Sequence, residues 1–154
     1  MSNVTLTSLA AALTLGCAHY PPQYTSGPAV AANGVSVALV SQTCDQNKDP
    51  DFWGDDLVFL SVDLSFSNPT PRPITVYRSR IRVLAPDGIR ASTMTWNASK
   101  PIRLAPSETR VVPLVFSNRG SLDCNVPLAI DLDGSIDTGN QTENLPPIHF
   151  VAGL

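Results

Sequence analysis

Leu57-Val58-Phe59-Leu60-Ser61-Val62-Asp63-Leu64-Ser65-Phe66-Ser67 is the stretch on which the fold turns. Successive side chains of an extended chain point to opposite sides. Val62, Leu64 and Phe66 therefore share one face, while Ser61, Asp63 and Ser65 share the other. Alternation with a period of two marks a strand with one face in a core and the other in water. The run ends at Asn68-Pro69-Thr70-Pro71-Arg72-Pro73. Proline has no N–H for a sheet ladder, so the chain must turn here.

Working outward, the same signal recurs in short pieces. Upstream, Val35, Val37 and Leu39 alternate with Ser36, Ala38 and Val40, which predicts a strand ending before Cys44. Residues 45–56 read as a polar, acidic loop. Downstream, 74–84 reads as one extended run with Tyr77, Ile81 and Val83 on one face. Pro86-Asp87-Gly88 is a turn, and 89–96 follows as a strand. Ile102-Arg103-Leu104 leads into an Ala105-Pro106-Ser107-Glu108 turn. Residues 109–116 form a strand in which Pro113 implies a sheet edge or a bulge. The runs 126–136 and 148–151 complete the set. Outside residues 4–15 no window places apolar residues at helical spacing. Seven or eight short strands separated by turns predict an all-β protein, an immunoglobulin-like sandwich. Composition agrees: 14 prolines in 154 residues suit a chain of turns and edge strands. Hydrophobic residues make up 43% and charged residues 15%, which is the balance of a chain that buries a core.

Three turn motifs carry a resemblance. Phe66 to Asn68 closes a strand on Asn, Pro86 to Gly88 is a Pro-Asp-Gly turn, and Leu104 to Glu108 has the form Leu-x-Pro-Ser-Glu before a hydrophobic strand. Together these resemble envelope immunoglobulin-like domains related to the late-embryogenesis-abundant type 2 group. The resemblance implies a fold and leaves function open.

The first residues read differently. Val4 to Leu15 is an apolar run of the length of a secretory core, and Leu13-Thr14-Leu15-Gly16-Cys17 follows it to a small residue and a cysteine. This resembles the lipobox of bacterial lipoproteins. Thr14 stands where that pattern has Leu, and residues 1–16 contain no Lys or Arg where a basic start is usual. The resemblance implies a signal peptide at 1–16 and a lipidated Cys17 that joins the chain to a membrane. Two or more acyl chains, at about 0.8 kcal/mol per buried methylene, make such an anchor stable. Pro21, Pro22, Gly27 and Pro28 then mark a tether, so the expected organisation is 1–16 signal, 17–32 lipidated cysteine and tether, and 33–154 sandwich. With Cys17 acylated, the other two of the three cysteines, Cys44 and Cys124, form an even pair in an oxidising compartment. A disulfide between them closes a loop of about 80 residues, worth up to about 4.5 kcal/mol by chain entropy; the alternative is two buried thiols.

Motifs with chemical content are sparse. Asp45, Asn47, Asp49 and Asp56 have the one-three-five-twelve spacing of a calcium loop. Pro50 occupies the position where such a loop requires Gly, so a solvated acidic loop is the expected reading. Asp137-Thr138-Gly139 occurs once, whereas an aspartic protease needs two such aspartates. The two histidines, His19 and His149, have no metal-ligand spacing around them, and His149 is expected to face solvent. There is no Gly-x-Ser-x-Gly elbow and no glycine-rich phosphate loop. No cofactor or catalytic residue is expected, and the inventory points away from an enzyme.

Charge is the remaining signal. A net charge of −3 gives no long-range attraction for nucleic acid. Nine of the ten basic residues nevertheless fall between Arg72 and Arg119, where Asp87 and Glu108 are the only acids. Arg78, Arg80 and Arg82, alternating on a single strand, would project from one face and offer guanidiniums to an anionic partner. Cross-strand pairing with Asp63 or Glu108 is the competing expectation. The sequence thus predicts a non-catalytic, lipid-anchored envelope protein that presents an interaction or structural module to an envelope protein or anionic cell-wall partner. The alternative is a secreted inhibitor or ligand-binding protein without an anchor.

Overall fold

The computed structural model describes residues 29–47, 57–88, 90–119 and 122–152. Twelve strands occur among them: β1 (Ala29–Ala32), β2 (Val35–Asn47), β3 (Leu57–Asn68), β4 (Ile74–Val76), β5 (Arg82–Leu84), β6 (Arg90–Ser92), β7 (Ile102–Leu104), β8 (Glu108–Arg119), β9 (Pro127–Asp131), β10 (Ile136–Asp137), β11 (Thr142–Glu143) and β12 (Ile148–Val151). The fold is all-β, and every strand pairing is antiparallel.

One layer is a sheet in the order β1-β2-β3-β8. Its centre is β3, and the expected alternation is seen there: Val58, Leu60, Val62, Leu64 and Phe66 are all buried. Burying five such side chains is what drives the layer against its partner. Pro113 falls on β8, opposite Asp63 and at the edge of this sheet, where its missing N–H costs no ladder bond.

The facing layer consists of two four-stranded pieces, β12-β9-β5-β6 and β11-β10-β4-β7. They are two halves of one surface with a kink between them. Ile136 pairs with Val76 in one half, and Asp131 pairs with Arg82 in the other. Between those pairings five residues (77–81) oppose four (132–135), and the Tyr77 N–H donates to the Ser135 carbonyl at 2.7 Å across the break. On one strand the break is a single 3-10 turn at Arg78–Arg80; on the other it is a turn in which Gly134 has φ +67. The expected run 74–84 is therefore two strands. So is the expected run 126–136. These two divisions, with the unexpected strands β1 and β11, account for twelve strands where seven or eight were expected. The chain passes from β3 to the second layer, returns as β8 beside β3, and crosses again to β9 beside β5. That Greek-key path is the strand order of an immunoglobulin-like sandwich.

Two expected boundaries move. The sandwich already includes Ala29–Ala32, ahead of the expected start at residue 33, because β1 pairs with β2 from Ala29↔Ala38 to Ala32↔Val35 across an Asn33-Gly34 turn. The first long strand runs through Cys44 to Asn47 instead of ending before it. A register shift between Leu39 and Ser41 makes this possible. Before it Val37 and Leu39 face the core opposite Phe66 and Leu64; after it Gln42 and Cys44 do so, opposite Val62 and Leu60. The bulge adds one residue and so moves the inward set from odd to even positions.

Candidate functional site

That change of parity aims Cys44 into the interior, where it forms a disulfide with Cys124, with Cα atoms 5.8 Å apart. The separation is ordinary for such a bridge. Cys124 lies in the turn before β9, so the bond staples the two layers together. Gln42, the neighbouring inward position, also spans the layers: its Nε2 donates to the Val151 carbonyl of β12 at 2.7 Å.

The three arginines do not share a strand, which corrects the expected stripe. Arg78 and Arg80 belong to the 3-10 turn, and only Arg82 is in a strand, β5. Arg80 and Arg82 are exposed and Arg78 half-buried; of the three residues expected inward, Ile81 and Val83 are in the core and Tyr77 is half-buried. Arg78 Nη2 donates to the carbonyls of Asn97 (2.6 Å) and Lys100 (3.2 Å). Arg80 Nη1 donates to the Gly134 carbonyl at 2.9 Å, and its guanidinium lies 4.3 Å from the centre of the Tyr77 ring. Arg82 sits across from Asp131 and Ser92 in the ladder. Neither expected carboxylate pairs with these arginines. Asp63 accepts from Ser41 Oγ at 2.5 Å, and Glu108 is engaged by Arg110.

The segment that Arg78 holds carries residues the sequence reading placed in a strand. After Ser92 the chain leaves β6 and crosses to the edge of β8, where Thr93 bridges Phe116. Thr93 and Thr95 turn their hydroxyls toward that edge. They bond to each other at 2.8 Å, and Thr95 Oγ1 accepts the Val115 N–H at 2.8 Å. Met94 and Trp96 consequently project outward, 55% and 87% exposed. Two successive turns follow, Ala98 N–H to Thr95 carbonyl (3.0 Å) and Lys100 N–H to Asn97 carbonyl (2.9 Å).

Two of the three turn motifs behind the family resemblance, 66–68 and 104–108, meet in space. Asn68 is fully buried; its Nδ2 donates to the carbonyls of Arg72 (2.8 Å) and Ala105 (2.9 Å), and its Oδ1 accepts from the Thr70 N–H and hydroxyl. The Ala105 N–H in turn donates to Glu108 Oε2 at 2.7 Å. That bond, with the Arg110 guanidinium, holds the Glu108 carboxyl below its usual range. A buried carboxylate elsewhere was not foreseen. Glu143 on β11 accepts only from neutral donors: Asn33 Nδ2, Thr138 Oγ1 and Gln141 Nε2. It ties the β1–β2 turn to the β10–β11 hairpin.

Of the remaining sequence candidates, Cys17 and His19 lie outside the described residues, as do Asp49 and Asp56 of the calcium-loop pattern. Asp45 and Asn47 belong to β2, in extended backbone. No cluster of three potential metal-binding side chains occurs among the described residues. Asp137 accepts the Gly139 N–H at 2.7 Å in a local turn, and His149 is exposed on β12. No described helix is long and apolar enough to cross a membrane.

No protein-family model matches the chain, and no curated protein matches it. Among solved structures it is similar to a protein of unknown function from Listeria monocytogenes EGD-e, with a TM-score of 0.58 at 11% identity over 84% of this chain and 86% of that one. A protein from Archaeoglobus fulgidus aligns at 15% identity and a TM-score of 0.44, over 75% of this chain and 98% of that one. At 11% identity the Listeria likeness shows a shared all-β fold and nothing of chemistry.

Proposed function

We propose that this chain is an exported, lipid-anchored protein of the cell envelope whose sandwich serves as a non-catalytic interaction or structural module. The observation that carries the reading is the Cys44–Cys124 disulfide between the two layers. Disulfides form and persist in oxidising compartments and are rare in the cytosol. The apolar run 4–15 before Gly16-Cys17 supplies the matching address, and the Pro-rich residues 18–28 supply the spacing from a membrane. An interaction role fits the side-chain inventory, in which polar groups are spent on turns: Asn68 on two backbone segments, Glu143 on three neutral donors.

The test is fractionation with acyl labelling of the full chain. The protein should label with fatty acid and sediment with membranes, and Cys17→Ser should abolish the label and release the chain to the soluble fraction. Unchanged membrane association of the Cys17→Ser chain, or absence of label on the unaltered chain, would sink the reading.

A further inference from the structure

We propose that the turn at residues 93–100, tipped by Met94 and Trp96, carrying Lys100 and held by Arg78, docks on an anionic phospholipid bilayer. The proposal rests on the envelope reading, which places the domain beside such a surface, and deepens it by naming the contact. Three features carry it. The first is the apolar tip. Trp96 is 87% and Met94 55% exposed, and among the described residues Val111, at 51%, is the one other large apolar side chain so exposed. Trp is the side chain best suited to the boundary between headgroups and acyl chains.

The second is rigidity. Thr95 Oγ1 accepts the Val115 N–H, two turns close the segment, and Arg78 clamps its far side through the Asn97 and Lys100 carbonyls. A tip already held in shape loses little entropy when it docks. The third is charge. Every hydrogen-bond partner of Arg78 and Arg80 is a main-chain carbonyl, and no ion pair involves Arg78, Arg80 or Lys100 among the described residues. Carbonyls accept from the guanidiniums without cancelling their charge, and Arg78 Nε is buried without a partner. Residues 88–107 contain no Asp or Glu at all. The positive charges of Arg78 and Lys100 on the segment that carries the apolar tip complement a surface with anionic headgroups and an apolar interior. A sugar polymer fits less well. Recognition of its hydroxyls needs free polar groups around the aromatic ring, and here the Thr93 and Thr95 hydroxyls are already engaged.

The experiment uses the full chain carrying Cys17→Ser and Trp53→Phe, so that no acyl group is present and Trp96 is the sole indole. Because this chain carries no acyl group, its result is independent of whether Cys17 is lipidated, and the apolar run 4–15 is common to every variant compared. Vesicles of phosphatidylcholine and phosphatidylglycerol in equal parts should bind it and shift Trp96 fluorescence to the blue; phosphatidylcholine alone should not. In the Cys17→Ser chain that retains Trp53, Trp96→Ala should weaken sedimentation with the mixed vesicles by about tenfold. Lys100→Gln should weaken it by about fivefold, and added salt should weaken it further. The thermal transition of each variant, unchanged because these side chains are exposed, separates lost docking from lost fold. Failure to bind the mixed vesicles, equal binding to both kinds, or indifference to Trp96→Ala overturns the proposal. So does a soluble polyanion that shifts Trp96 as strongly as the vesicles do.

Discussion

The two layers of the sandwich are built to different rules. β2, β3 and β8 run 13, 12 and 12 residues, and the layer they form is one ladder bent by a single bulge. In the facing layer no strand exceeds five residues, and the ladder breaks across its middle. The long layer shows water mostly small side chains, Ser61, Ser65 and Ser67 among them, while the broken layer and its connections carry Arg78, Arg80, Arg82, Arg90, Lys100 and Arg103. A continuous ladder fixes every side chain by parity alone. A break frees the chain to place a turn: Arg78 and Arg80 stand in it, and Arg78 holds the segment that carries Trp96. One layer supplies the frame, and the other supplies the surface on which function is proposed.

If the long layer is the frame, the largest effects lie in its core. Phe66→Ala removes a fully buried ring from the central strand and should cost about 3–5 kcal/mol, read as a lowered denaturation midpoint at unchanged slope. Reduction, or paired Cys44→Ser and Cys124→Ser, should cost somewhat less, about 2–4 kcal/mol, because it removes only the staple between layers. An effect near zero for the staple would mean the layers hold equally well without it. Asn68→Ala strands two carbonyls and the Thr70 N–H where β3 gives way to the second layer; a loss of about 1–3 kcal/mol is expected.

The smallest effect concerns pH at the outer edge. The Ala105 N–H and Arg110 hold the folded Glu108 pKa below its unfolded value. Such a group stabilises the fold above its unfolded pKa, and the contribution disappears as pH falls through the depressed folded value. Acidification across the carboxylate range should therefore lower the melting temperature slightly more for the unaltered chain than for Glu108→Gln. Equal acid sensitivity would leave the edge turn without an ionic contribution.

How much was legible in the sequence follows the same division. β3 could be read residue by residue, because Val58 to Phe66 alternates without interruption and both faces of the strand obey it. The edge position of Pro113 and the turns at Gly88 and Ser107 were legible too, since proline and positive φ leave chemical marks. The bulge at β2 leaves none. In an unbroken register Cys44 would face away from the side that carries Val37 and Leu39, so the disulfide was readable from cysteine arithmetic and not from strand parity. The break in the second layer did leave a signal that went unread. Ile74 and Val76 are inward at even positions, Ile81 and Val83 at odd ones, and a single strand cannot satisfy both sets. Reading 74–84 as one strand put the three arginines on one face; the 3-10 turn sends them to different partners. Trp96 was illegible for a physical reason. Met94 and Trp96 look like core residues, and only the engagement of Thr93 and Thr95 by the β8 edge turns them outward.

The most direct test of the account is a non-reducing peptide map of the chain recovered from its own cells, with free thiols blocked at lysis. The account predicts a cross-linked pair of peptides containing Cys44 and Cys124, which separates only after reduction. Recovery of both cysteines blocked, with no cross-linked pair, would contradict the staple between layers and the export it implies.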